Sequence, residues 1–181
     1  MNKPPEKRSI PVLFTALEIK ERLEGLAAEI SAKVGYEFLI VSLLRGSFMF
    51  TADLVRELYT IGVHPQIDFM TLSSYGQGTQ SSGTVDIGRD LTEDVRGKTI
   101  LVVDDILETG RTLSYAIQLL KDRGAEKVFS VMLLEKPGKL ESDAKADFVG
   151  FSIPDKFVVG YGLDYANHYR ELPFIGYLDV H

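Results

Sequence analysis

The chain has 181 residues, 45% hydrophobic and 25% charged, which suits one well-buried globular domain and is short for two. A net charge of −6 offers no general footprint for nucleic acid, and no apolar run approaches the roughly 18 residues that span a bilayer. Met1 to Ser9 lacks the apolar core of a secretory signal, so a cytoplasmic protein is expected; the absence of cysteine excludes disulfides, thiol nucleophiles and thiolate metal sites without identifying a compartment.

Residues 1–9 are polar and Pro-rich and read as a flexible N-terminal tail, leaving residues 10–181 as a single domain. Ile10 to Phe14 reads as a short strand. Thr15 and Glu18 then stand at capping-box spacing and open a helix running towards Lys33, with Leu17, Leu23, Leu26, Ala27 and Ile30 as its core face. Gly35 breaks the chain before a buried strand, Phe38 to Val41. Its exit, Leu43-Leu44-Arg45-Gly46-Ser47, leads into a helix over Phe48 to Tyr59. Such a turn places Arg45 and Gly46 at the edge of a sheet where ligands bind, although a solvated arginine would suit it equally. Gln66 to Leu72 resembles a third strand. Ser73 to Gly83, which follows, is small, hydrogen-bonding and Gly-rich; it cannot build a core and reads as a mobile loop.

Arg96-Gly97-Lys98 turns the chain into the stretch with the strongest chemical signal, Thr99 to Thr112. Ile100-Leu101-Val102-Val103 is a continuous apolar run, as expected of a strand buried on both faces of a parallel sheet. The acidic pair Asp104-Asp105 follows. Adjacent carboxylates repel, and a hydroxyl-rich ligand or a hard cation such as Mg²⁺ would compensate them. Glu108-Thr109-Gly110-Arg111-Thr112 then brings a glycine, two hydroxyls and a cation to the start of a helix ending near Arg123 and Gly124. The first N–H groups of a helix and its dipole favour an anion there. The alternative is a polar turn with Thr109 or Thr112 as helix cap. No Gly-Lys-Ser/Thr follows at P-loop spacing. Val128 to Leu134 is a further buried strand with Glu135-Lys136-Pro137 at its exit, so β and α elements alternate as in a parallel sheet. From Asp147 to Tyr165 the choice lies between an aromatic β-hairpin and a face on which a planar base stacks, with strand carbonyls at its edge. His64, His168 and His181 have no metal-ligand spacing.

Val102 to Leu113 resembles the phosphoribosyl-pyrophosphate motif of type I phosphoribosyltransferases, and Ile153 to Tyr165 resembles the corresponding run of hypoxanthine-guanine phosphoribosyltransferases. The resemblance implies an α/β type I phosphoribosyltransferase fold: a parallel flavodoxin-like sheet flanked by helices. It also implies a small hood drawn from the N-terminal region and about 140–181. Implied with it are a loop of Asp104, Asp105, Glu108, Thr109, Gly110, Arg111, Thr112 and Leu113 that holds the phosphoribosyl group, and pyrophosphate contacts from Arg45, Gly46 and Arg170. A cis peptide at Leu44–Arg45 belongs to the same implication. The purine would meet Lys136 at its 6-oxo group, Phe157 by stacking, Val158 through its backbone, and Asp164. Mg²⁺ would be held at Asp104, Asp105 and Asp164, and Ser74-Tyr75 would form part of a closing lid.

Relatives commonly carry Asp where this chain has Glu108, and Gly where it has Ser47. Glu108 is the implied catalytic residue, taking the purine N7 proton as N9 attacks ribose C1′. The expected reaction makes IMP or GMP from phosphoribosyl pyrophosphate and a 6-oxopurine in a homo-oligomer, dimer or tetramer, with no nucleic-acid or membrane partner. An RNA-binding attenuation regulator on the same fold is the alternative, disfavoured by the acidic charge and the purine-type segments.

Overall fold

The computed structural model describes residues 10–74 and 85–179. Its elements in chain order are β1 (Val12–Phe14), α1 (Ala16–Val34), β2 (Leu39–Leu44), α2 (Phe48–Thr60), β3 (Gln66–Ser74), β4 (Val85–Arg89), β5 (Thr99–Leu107), α3 (Arg111–Asp122), β6 (Lys127–Glu135), β7 (Phe148–Ser152), β8 (Phe157–Val159) and β9 (Ile175–Leu178). Six strands form the main sheet in the order β4-β3-β2-β5-β6-β7. All its pairings are parallel except β3 with β4, an antiparallel edge that the sequence reading did not contain. β3 extends through Ser74 and pairs back to Val85, so Ser73 and Ser74 belong to a strand rather than to the loop assigned there. Tyr75, the rest of that loop and residues 1–9 lie outside the described residues.

The central strands are buried on both faces, and their alternate residues feed two cores. Ile40, Leu101, Val103, Val131 and Leu133 pack with α1 and α2. Val41, Ile100, Val102 and Met132 pack on the opposite face with Leu113, Ala116 and Leu120 of α3. Helix α1 begins with the expected capping box: Thr15 Oγ1 accepts from Glu18 N at 3.3 Å, and Thr15 N donates to Glu18 Oε2 at 2.8 Å. Its buried face is Ile19, Leu23, Leu26, Ala27 and Ile30, whereas Leu17 is 64% exposed. Ile19 continues the i, i+4, i+7 row that Leu17 misses by half a turn, which corrects the expected membership.

A smaller antiparallel sheet, β1-β9-β8, joins the two ends of the described chain. Val158, Tyr161, Leu163 and Ile175 bury into the α1–α2 core, so this sheet shares the main domain's interior. The hairpin alternative for 147–165 does not hold. β7 adds to β6 at the edge of the main sheet, and β8 pairs with β9 in the small one.

Candidate active site

Topology places the crevice. From β2 the chain steps outward to β3 and β4, and from β5 it steps the other way to β6 and β7, so the strand order reverses between β2 and β5. Open α/β sheets bind ligands at the carboxyl ends of the strands at such a point. Pairing of β5 with β2 stops at Val103, while β6 accompanies β5 to Leu107. Asp104 and Asp105 therefore lie inside a strand longer than the sequence suggested, on the stretch where one neighbour has already turned away. Burial, and then the charge of Asp105, pushes the Asp104 carboxyl well above the ordinary carboxylate range; burial also raises Asp105.

Two backbone turns close tightly over Asp105. A Cβ on Gly46 would stand 1.5 Å from Asp105 Oδ2, and a Cβ on Gly162 would stand 2.3 Å from the Gly46 carbonyl oxygen. Glycine at 46 and 162 is thus what lets the β2 exit and the 160–163 turn close over Asp105. The Leu44–Arg45 peptide is cis, and Arg45 is exposed beside it. Ser47 is buried; its hydroxyl bonds to Ser42 Oγ (2.9 Å), which also bonds to Thr51 Oγ1 (2.7 Å).

The loop after β5 forms an anion cradle. Gly110, at φ +77°, is the N-cap of α3, so neither Thr109 nor Thr112 caps it. Glycine has no side chain to satisfy the first helical N–H groups, which are left for a ligand. The Arg111 N–H makes a long 3.4 Å contact to Thr109 Oγ1. A cavity of about 180 Å³ opens here, lined by Asp104, Glu108, Thr109, Gly110, Thr112 and Leu113 among others. Leu113 is itself buried and can offer only its backbone. The Arg111 guanidinium pairs with Glu141 at 2.5 Å rather than entering that cavity.

A second cavity, about 510 Å³, adjoins the first and shares Glu108 with it. Lys136, Phe157, Val158 and Asp164 line it, bringing the four implied purine contacts together. Phe157 is 44% exposed and meets Tyr165 edge-to-face with ring centroids 5.5 Å apart, leaving a ring face for a planar ligand. Lys136 is buried, and its ammonium approaches Glu108 Oε1 at 3.4 Å. Lys139 and Asp155 also line this cavity. Sequence reading passed over both, although the Pro137-Gly138 turn that folds Lys139 back towards Glu108 was visible.

Asp164 and Arg170 are occupied with each other. Arg170 Nη2 lies 2.7 Å from Asp164 Oδ1, Arg170 Nη1 donates to the Gly162 carbonyl at 2.6 Å, and Asn167 N donates to Asp164 Oδ2 at 2.7 Å. Among the described residues no three acidic or histidine side chains gather closely enough to hold a metal. The expected triad of Asp104, Asp105 and Asp164 is therefore not assembled. Asp104 and Asp105 alone fit Mg²⁺, which is commonly held by one or two carboxylates together with a ligand's phosphate oxygens.

Comparison with known proteins points to one family. The phosphoribosyl transferase domain family matches residues 13–166. The chain is 47% identical over 173 residues to the hypoxanthine phosphoribosyltransferase of Salmonella typhimurium, covering 94% of this chain and 96% of that protein. It is 46% identical over 168 residues to the hypoxanthine-guanine phosphoribosyltransferase of Bacillus subtilis, covering 92% of each. Among solved structures, a hypoxanthine phosphoribosyltransferase from Staphylococcus aureus superposes with a TM-score of 0.86 at 43% identity over 92% of this chain and 90% of that one. That of Trypanosoma cruzi gives 0.89 at 36% identity over 96% and 94%.

Proposed function

The chain belongs to the phosphoribosyltransferase family, and from that premise we propose that it is a hypoxanthine(-guanine) phosphoribosyltransferase, which transfers the phosphoribosyl group of phosphoribosyl pyrophosphate to a 6-oxopurine and yields IMP or GMP with pyrophosphate. The observation that carries the reading is the shared wall: Glu108 lines both the cradle at the start of α3 and the cavity that holds Lys136 and Phe157. A 5′-phosphate seated on the α3 N-terminus puts its ribose beside Asp104 and Asp105, with C1′ directed to the second cavity. A purine there stacks on Phe157 and presents its 6-oxo group to Lys136. Adenine would offer that ammonium an amino donor in place of an acceptor, which disfavours it.

The displacement proceeds as N9 attacks C1′, the bond from C1′ to pyrophosphate breaks, and the N7 proton passes to the Glu108 carboxylate. Arg45 and the Gly46 backbone lie at the mouth of the crevice and receive the pyrophosphate. Arg170 joins them on release from Asp164, stabilising charge that accumulates on the leaving group. Asp104 and Asp105 would hold a Mg²⁺ ion, which would supply Lewis-acid compensation of that same charge. The regulator alternative draws no support from the relatives, which are named as enzymes. Assembly as a cytoplasmic homo-oligomer belongs to the same reading, and sedimentation velocity measures it.

The test offers hypoxanthine, guanine, xanthine, adenine and uracil separately with Mg²⁺ and phosphoribosyl pyrophosphate. IMP or GMP formation with little product from adenine or uracil is expected. Turnover of adenine at the hypoxanthine rate, or none with any base in protein that binds phosphoribosyl pyrophosphate, overturns the assignment.

A further inference from the structure

Glu108 is one methylene longer than an aspartate would be, and the added rotatable bond must be restrained if the carboxylate is to meet N7 in one position. The restraint is visible. Two ammonium groups converge on the same oxygen, Glu108 Oε1: Lys136 at 3.4 Å and Lys139 at 3.3 Å. Among the described residues Oε2 takes no donor. Lys139 is in turn gripped by Asp155 at 2.6 Å, while Lys136 lies 3.6 Å from the other oxygen of the same carboxylate. The four groups thus alternate in sign around the rim of the larger cavity. They join the loop after β5, the segment after β6 and the segment before β8.

The backbone keeps Lys139 in place. Glu141 N donates to the Thr109 carbonyl at 3.0 Å, Ser142 Oγ reaches the same carbonyl at 3.4 Å, and Arg111 pairs with Glu141 at 2.5 Å. Glu141 and Ser142 are consequently fastened to the loop that bears Glu108, two and three residues beyond Lys139. At 38% exposure, the Lys139 side chain contributes little to stability. Its contacts point to a different use.

We propose that Lys139, held by Asp155, is a positioning residue that fixes the longer Glu108 carboxylate by Oε1 and leaves Oε2 to take the purine proton. The proposal rests on Glu108 acting as the general base. Its distinguishing consequence is that dependence on Lys139 belongs to glutamate at position 108: an aspartate reaches from a shorter stem and does not need the tether.

The experiment is a double-mutant cycle of Lys139→Ala with Glu108→Asp, with Lys139→Arg and Glu108→Ala alongside, reading kcat and both KM values for IMP formation. Lys139→Ala should lower kcat roughly 5- to 20-fold in the Glu108 background, with KM for phosphoribosyl pyrophosphate within about twofold. Lys139→Arg should restore most of that loss. In the Glu108→Asp background the same truncation should change kcat less than about twofold. Equal losses in the two backgrounds, or a loss confined to KM, would overturn the proposal. A Glu108→Ala enzyme as fast as the unaltered protein would instead remove its premise, and the two failures are read from different variants.

Discussion

Substituting Gly46 by alanine probes the crevice at its tightest point. The new methyl would stand 1.5 Å from Asp105 Oδ2 and 2.6 Å from its Cγ, whereas carbon and oxygen atoms in contact settle near 3.5 Å. The gap to be recovered is therefore about 2 Å. Gly46 cannot supply it by retreating, because its carbonyl oxygen is packed against Gly162. The Asp105 carboxylate, the free end of a short side chain, must swing instead. An off-rotamer side chain costs about 0.5–1.5 kcal/mol, so the fold survives with a small loss of thermal midpoint. Function does not: misplacing a catalytic-site group by 1 Å can cost about 100-fold, and here the displacement is larger. We expect kcat/KM for phosphoribosyl pyrophosphate to fall at least about 100-fold at saturating hypoxanthine, with the cooperative melting transition preserved. A Gly46→Ala protein within about threefold of the unaltered enzyme would show that Asp105 does not act from the position described and would refute the argument.

Two further outcomes follow from the acids. The raised Asp104 and Asp105 carboxyls hold protons more tightly folded than unfolded, so their contribution is full below about pH 4, where an unfolded aspartate titrates, and is lost as pH climbs through the raised values. The thermal midpoint of the ligand-free protein should decline over that interval, less steeply for Asp104→Asn or with Mg²⁺ and phosphoribosyl pyrophosphate present; an unchanged slope in Asp104→Asn would contradict this. Asp68, buried at 4% exposure, accepts from Phe69 N (2.8 Å), Thr92 N (2.7 Å) and Glu93 N (2.9 Å), tying β3 to residues 90–95. Asp68→Ala leaves those donors without an acceptor and should cost about 2–4 kcal/mol in denaturant melts while sparing kcat, and a loss below about 0.5 kcal/mol would refute it.

Legibility in the sequence followed the range of the forces involved. β5 announced itself because both its faces are buried, and the Thr15–Glu18 cap because its partners are three residues apart. β4 and β9 were missed for the converse reason. β4 is an edge strand with three of its five residues exposed, and β9 has four residues whose strand character comes from β1 and β8, over a hundred residues apart in the chain. The cradle was readable as a contiguous motif. The engagement of Arg111 with Glu141, of Asp164 with Arg170 and of Glu108 with Lys139 was not, because each depends on how a turn aims one charge at another, and residue spacing carries no such information.

The small sheet also bears on the order in which the protein becomes competent during synthesis. Its middle strand is β9, and β8, which begins with Phe157, has its sheet partner there. A nascent chain emerged as far as residue 170 already contains the acidic pair, the cradle and both lysines of the Glu108 cluster. It has yet to make the strand that backs the stacking ring. The backing of the Phe157 ring is thus completed last, by Ile175–Leu178 laid between β1 and β8.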